Sequence, residues 1–210
     1  MPTRRFHSPL SLVVGKDRCD TSNGDLARGL GAGEAWAVAE TWHRFAPMVL
    51  TMAERTLGSR SEADDIVQEV FYGIFRKAKE LRDPDSLRSF VYSFAIRALK
   101  YELRRKRMRA WLSFDEPEAL VDMGSRTLDV ESRDLLRKCY ALLDRLTPRD
   151  RLVFILRRME SMTVEEIAAA MDISESTVKR SMAHASSRLL RWINADPGLS
   201  SLLDAGRWGQ

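Results

Sequence analysis

The chain is poor in the residues that build metal and disulfide sites. Its two cysteines, Cys19 and Cys139, lie far apart with no second thiol nearby, and its three histidines, His7, His43 and His184, are scattered. That spacing excludes a disulfide framework and a zinc cluster. No glycine-rich phosphate loop and no Ser/His/Asp or Cys/His set is present, so the chain reads as a non-enzyme with no cofactor. No apolar run approaches the roughly 20 residues a membrane span needs. The short apolar stretch at positions 9–14 is cut at once by Lys16, Asp17 and Arg18, which excludes a signal-peptide core. A cytoplasmic protein with free thiols and no direct membrane insertion is expected. Sustained two-residue alternation is also missing, which argues against strands. Charge of one sign is not in excess either: Lys+Arg 34 against Asp+Glu 30 leaves +4. A nucleic-acid partner must therefore be read from where the charges lie.

What is present is helical periodicity. Residues are 44% apolar, enough for a core. Positions 1–33 mix Pro, Ser, Gly and charge without period and read as a flexible arm. From Glu34, apolar residues recur at three- and four-residue steps (Trp36, Ala39, Trp42, Phe45, Ala46) until Gly58 stops them. Ser61, with Asp64 at N3, reads as the N-cap of a second helix carrying Ile66, Val67, Val70, Phe71 and Ile74. Asp83-Pro84-Asp85-Ser86 breaks the chain. A third helix is expected from about Ser86 to Arg109, with a basic C-terminal end. Positions 110–129 form an acidic, period-free linker around Pro117 and Gly124. The second module, 130–195, opens on Leu135, Leu136, Cys139, Leu142 and Leu143. Thr147-Pro148 then starts a helix with proline at N1. Positions 196–210 are a tail whose Leu199, Leu202, Leu203 and Trp208 suit a short helix packed back on the protein, a contact with a partner, or a frayed end. The fold class expected is all-α: two small helical domains joined by a flexible acidic linker.

The sharpest local signal spans 163–190. Thr163 and Glu166 make a capping box. Ala168 is small where a second helix must cross, and Ile167 and Met171 give the apolar face. Asp172 stands where the turn needs a residue tolerant of positive φ, usually glycine. Ser174 caps the next helix, anchored by Val178 and Met182. These offsets describe a helix-turn-helix. Glu175, Ser176, Thr177, Lys179 and Arg180 are left near the exposed N-terminal end of the second helix, the end that enters a major groove. Arg180 suits guanine, and Lys179 suits phosphate. A helical hairpin with a solvated basic face would need fewer of these agreements. Positions 131–195 carry 12 basic and 9 acidic residues, a balance of +3, too little for tight binding by this module alone.

The first module narrows the choice of regulator. Asp64-Asp65-Ile66-Val67-Gln68-Glu69-Val70-Phe71 resembles the polymerase-binding signature of the sigma-70 family of RNA polymerase sigma factors. The stretch from Leu87 to Arg97 resembles the family's promoter-melting helix, ending in Arg104-Arg105-Lys106-Arg107-Met108-Arg109. The stretch from Leu142 through Thr177-Val178-Lys179 is similar to the family's −35-reading domain. Two domains and a linker are the architecture of the extracytoplasmic-function type (group 4). The resemblance implies a promoter-specificity subunit whose partners are RNA polymerase core (its β′ coiled coil and β flap), promoter DNA and an anti-sigma factor. It implies core-polymerase contacts at Asp64, Asp65, Gln68, Glu69 and Phe71. It implies −10 element contacts at Asp83, Ser86, Arg97, Lys100, Arg104 and Arg105, with the loop 82–86 holding a flipped base. It implies −35 element contacts at Thr163, Ser176, Thr177, Lys179 and Arg180. Between Arg97 and Arg109 there are seven basic residues and one acid, and with Phe90, Tyr92, Phe94 and Tyr101 nearby this suits unpaired DNA. Phe90 and Phe94, four apart, also suit a core; Tyr92 and Tyr101 suit either. Phe90-Val91 replaces a frequent Trp-Leu, Arg97 a frequent Asn, and Arg180-Ser181 a frequent Ser-Arg. The alternative class is a stand-alone helix-turn-helix regulator, which leaves the face around Asp65 unused.

Overall fold

The structure is a computed structural model and describes residues 21–81, 83–112, 129–196 and 198–200. Among the described residues eight α-helices follow in order: α1 (Asn23–Ala32), α2 (Ala35–Leu57), α3 (Arg60–Lys77), α4 (Leu87–Leu112), α5 (Val130–Asp144), α6 (Pro148–Arg158), α7 (Val164–Met171) and α8 (Glu175–Ala195). Two 3-10 turns, Ala78–Glu80 and Pro84–Ser86, join α3 to α4. No extended strand occurs among the described residues.

The first helix corrects the expectation of an arm running to position 33. Ser22 caps α1 by accepting from the Asp25 amide, and Gly33 closes it at φ 76°. Leu26 and Leu30, one turn apart, are buried in the main core. Glycines at 24, 29, 31 and 33 hide this helix from propensity arguments. One of them is structural: a Cβ on Gly29 would lie 2.6 Å from the Trp36 ring, so glycine allows α1 to close on α2. Positions 1–20 of the expected arm lie outside the described residues.

Two boundaries also shift. Ser59, not Ser61, caps α3, accepting from the Glu62 amide. Gly58 turns the chain in the left-handed region at φ 75°, so Ser59 is already extended and placed to cap, while Ser61 falls inside the first turn. The fourth helix persists to Leu112, three residues past the expected end at Arg109. The acidic segment 113–128 lies outside the described residues. The other starts and stops match the sequence reading. Thr147 caps α6 with Pro148 at N1, Thr163 and Glu166 form the capping box of α7, Asp172 sits at φ 54°, ψ 56°, and Ser174 caps α8.

The two modules do not stand apart. One continuous core joins Leu26, Val49, Met52, Phe71, Val91 and Leu99 of the first with Leu152, Leu156, Ile167, Met171 and Val178 of the second. The fourth helix packs against α6 and α7. Polar contacts close the seam. Arg55 Nη1 donates to Glu160 Oε1 at 2.8 Å and to the Met159 carbonyl at 2.9 Å. Tyr140 Oη donates to the Glu54 carbonyl at 3.2 Å, and its ring lies on Gly58, where a Cβ would approach to 2.7 Å. A smaller core holds Tyr140, Leu142, Leu143, Leu146, Ile155, Ala185 and Leu189. Leu199 is buried in it, so the start of the tail packs back on the second module. Leu202, Leu203 and Trp208 lie outside the described residues.

Candidate functional site

Three surfaces carry the residues singled out from sequence. The first is on α3. Its apolar back (Ala63, Ile66, Val67, Val70, Ile74) is buried, which turns Asp65, Gln68 and Glu69 outward. Asp64 is half-buried beside Arg60, whose Nε lies 3.5 Å away. Phe71 departs from its expected role. It is 1% exposed and packs against Trp42 and Phe75, with ring centroids 4.8 and 5.7 Å distant. It cannot touch a partner; it is a core residue, because its position one helical step past Val70 faces the bundle. The neighbouring Tyr72 takes the outward place. It is 65% exposed, lies three residues after Glu69 and four after Gln68, and carries the Arg76 guanidinium 5.5 Å from its ring centroid. Sequence reasoning passed over Tyr72, although the same i, i+3, i+4 spacing that grouped Asp65, Gln68 and Glu69 includes it.

The second surface is on α4 and the turn before it. Asp83 caps the 3-10 turn, accepting from the Asp85 amide, and Ser86 donates to the Asp83 carbonyl at 2.7 Å. These two side chains thus shape the loop; Arg82 lies outside the described residues. Phe90 and Phe94 are half-buried against the core and meet edge to face at 4.9 Å. Arg97 is exposed, donates to the Ser93 carbonyl at 3.0 Å and lies over the Phe94 ring at 4.6 Å. Lys100 is half-buried and Arg104 exposed. Arg105 is engaged by Glu102, with Nε 2.8 Å from the carboxylate. That hydrogen bond raises its pKa. Glu102 is itself buried and takes a second guanidinium, Arg109, at 3.0 Å. The expected set is therefore one face, of which Arg97, Lys100 and Arg104 are the available cations.

The third surface is the start of α8. Glu175, Ser176, Lys179 and Arg180 are exposed, and Thr177 is half-buried. Arg180 Nη2 reaches Thr177 Oγ1 at 3.5 Å, and Lys179 Nζ lies 3.5 Å from Glu175. Thr163 is exposed, but its hydroxyl accepts from the Glu166 amide, so its first task is to cap α7. Val178 anchors the helix in the core beneath. A cross-link that sequence did not suggest fixes α8 on α6: His184 Nδ1 lies 2.8 Å from Asp150 Oδ2. Burial, the largest single influence, raises the Asp150 carboxyl, but the hydrogen-bonding groups around it, His184 first among them and then Thr147 and Ser181, together outweigh it, and the pKa lies below the ordinary value.

No group of three or more His, Cys, Asp or Glu side chains is placed to hold a metal among the described residues, and no helix there is long and apolar enough to cross a membrane.

Known proteins show the same division. Residues 41–109 match the family Sigma-70 region 2, and residues 136–189 match Sigma-70, region 4. The ferric citrate uptake sigma factor FecI of Escherichia coli is 31% identical over 137 residues, which cover 62% of this chain and 76% of FecI. The ECF RNA polymerase sigma factor SigM of Mycobacterium tuberculosis is 24% identical over 174 residues, covering 83% of this chain and 86% of SigM. The fold is shared with CnrH, solved in complex with the cytosolic domain of CnrY, at a TM-score of 0.59 and 22% identity, covering 83% of this chain and 98% of CnrH. The two matched regions lie on the α3–α4 and α6–α8 surfaces built above, and the chain belongs to the sigma-70 family as an alternative sigma factor of the extracytoplasmic-function type, which directs transcription initiation.

Proposed function

We propose that the three faces divide the work of promoter recognition. The outward stripe of α3 (Asp65, Gln68, Glu69 and Tyr72) docks on the β′ coiled coil of RNA polymerase core, while the second module meets the β flap. Charge orients the encounter, and the exposed aromatic ring supplies a contact of the kind that dominates interface energies. Arg97, Lys100 and Arg104 on α4 hold the strand of the −10 element, beside the loop shaped by Asp83 and Ser86. Ser176, Lys179 and Arg180 on α8 read the −35 duplex, with Thr177 at the edge of that surface. The protein works in the cytoplasm, without catalysis of its own. CnrH has been solved with a cytosolic protein domain bound; a protein partner of anti-sigma type is proposed here on that analogy.

The packed arrangement also sets an order of events. Elements centred at −10 and −35 lie about 25 base pairs apart, or about 85 Å at 3.4 Å per pair. A single packed body of about 160 residues is only about 40 Å across. Both elements are therefore out of reach at once until the modules part. From Leu112 to Asp129 the chain extends to at most about 60 Å, which together with the modules' own dimensions spans the gap. The α3 stripe is exposed in the packed form, so core docks first and separation follows.

The observation that carries this reading is the pairing of an outward acidic stripe on α3 with an exposed, well-capped recognition helix on α8. The test is co-elution of the full chain with sigma-free polymerase core, beside an Asp65→Arg, Gln68→Ala, Glu69→Arg variant. Loss of co-elution only in the variant is expected. A wild-type chain that ignores core yet binds promoter fragments tightly by itself overturns the docking assignment in favour of the stand-alone regulator.

A further inference from the structure

The surface of α4 continues past the residues assigned to the −10 element. Beyond Arg104 the helix runs two further turns and leaves Met108, Trp111 and Leu112 exposed, Trp111 by 81%. At 100° per residue, Tyr101, Arg104, Met108 and Trp111 follow one another at steps of three and four and fall on one line. Leu99, Glu102 and Leu103, which are buried, lie on the opposite side. The line covers about 15 Å of helix rise. An exposed tryptophan beside an exposed leucine and methionine is the kind of patch that marks a binding surface.

The charges sort in the same way. Arg105 and Arg109 are held by Glu102, and Lys106 by Glu62 at 2.5 Å, all drawn toward the body of the protein. Arg104 and Arg107 are exposed and meet no carboxylate among the described residues. They stand between the exposed rings. Alternating flat side chains and uncompensated cations are what an unpaired strand requires, since bases stack on the former and phosphates pair with the latter. Duplex DNA keeps its base faces covered and offers neither ring a partner. A protein partner would favour an apolar patch without two unpaired cations set into it. The negative end of the helix dipole disfavours phosphate near Trp111, which places a base there and the phosphates nearer Arg104 and Arg107.

We propose that Tyr101, Arg104, Arg107 and Trp111 form a track for an unpaired DNA strand at the edge of the opened promoter, with bases on the two rings and phosphates on the two arginines. This rests on the reading of α4 as the face that meets melted DNA, and it adds two turns and a stacking platform to that face.

The experiment uses the full chain bound to polymerase core. Binding is measured to a promoter with a pre-melted bubble and to a −35 duplex fragment, for wild type, Trp111→Ala, Trp111→Phe and Lys100→Ala. Because Trp111 is exposed, its loss leaves the core packing intact. Trp111→Ala is expected to weaken bubble binding by about five- to 150-fold, the range for losing one stacked base. Trp111→Phe should keep most of the affinity, and binding to the −35 fragment and co-elution with core should be unchanged. Loss in Lys100→Ala with none in Trp111→Ala overturns the track alone. Loss in neither overturns the reading of α4 as well. Loss of core co-elution in Trp111→Ala assigns the patch to a protein contact instead, and tighter promoter binding assigns it to the chain's own acidic segment; either result refutes the strand.

Discussion

If the modules must part for both promoter elements to be reached, then weakening the seam should help the holoenzyme bind. Arg55→Ala is the sharpest perturbation. Its Nη1 serves both Glu160 and the Met159 carbonyl, and the two ends differ in exposure: 40% for Arg55 and 10% for Glu160. A hydrogen bond to a charged group is worth about 1.5–3 kcal/mol. Water reaches Arg55 and partly replaces it, which brings the value down to around the low end of that range. The nearly buried Glu160 carboxylate, however, is left without its cation in the closed form alone. A shift of about 1–2 kcal/mol toward the open form follows, or about 5- to 30-fold in the ratio of closed to open. While the closed form dominates, apparent affinity for a full promoter rises by the same factor. Binding of a lone −35 fragment, which does not require separation, stays constant. The assay pairs holoenzyme binding to the two DNAs with small-angle scattering of the free chain, whose radius of gyration should grow. A larger radius with no gain on the full promoter would refute the proposed order of events. An unchanged radius would show that Arg55 does not hold the seam.

Further outcomes concern the individual faces. Tyr72→Ala should reduce core co-elution while leaving the melting temperature within a few degrees, whereas Phe71→Ala should cost about 3–5 kcal/mol of stability from the cavity it leaves; thermal melts beside gel filtration separate the two. Asp172→Gly, at a left-handed φ of 54°, should hold or raise the melting temperature. Asp172→Val should lower stability by about 1–2 kcal/mol. Asp150 has a depressed pKa, so its contribution is present above the unfolded carboxylate pKa, near 3.9, and is lost as pH falls through the lower folded value. Asp150→Asn should therefore reduce stability at neutral pH and flatten the acid limb below about pH 4, read from urea midpoints across that range; an unaltered acid limb would sink the assignment.

Most of the local structure was legible in the sequence, because local structure is set by local chemistry. Caps at Thr147, Thr163 and Ser174 satisfy amides three residues on, and each starts the helix that its spacing predicts. Asp172 occupies the left-handed turn of the helix-turn-helix because its short side chain tolerates it. The faces of α3 and α8 followed from periodicity, with one error of a single helical step. Phe71 and Tyr72 are about 100° apart, and a signature read as a string does not say which of the two rings turns inward. The first helix was missed for the opposite reason: four glycines masked a segment whose helicity comes from burying Leu26 and Leu30 against the core rather than from propensity.

By itself, then, the sequence determined every helix but the first, the caps of α6, α7 and α8, the helix-turn-helix and the family resemblance. Only the tertiary structure decided how the two modules meet. Arg55 and Glu160 are 105 positions apart, and Tyr140 and Glu54 are 86 apart. No periodicity or cap reports such a pair, because the energy that joins them belongs to two surfaces made complementary by folding and not to any window of the chain. The same holds for the charges on α4. Seven cations between Arg97 and Arg109 look equivalent in sequence. Folding buries Glu102 beside two of them and sets Glu62 against a third, and that pairing separates the cations that hold the protein together from those left facing solvent.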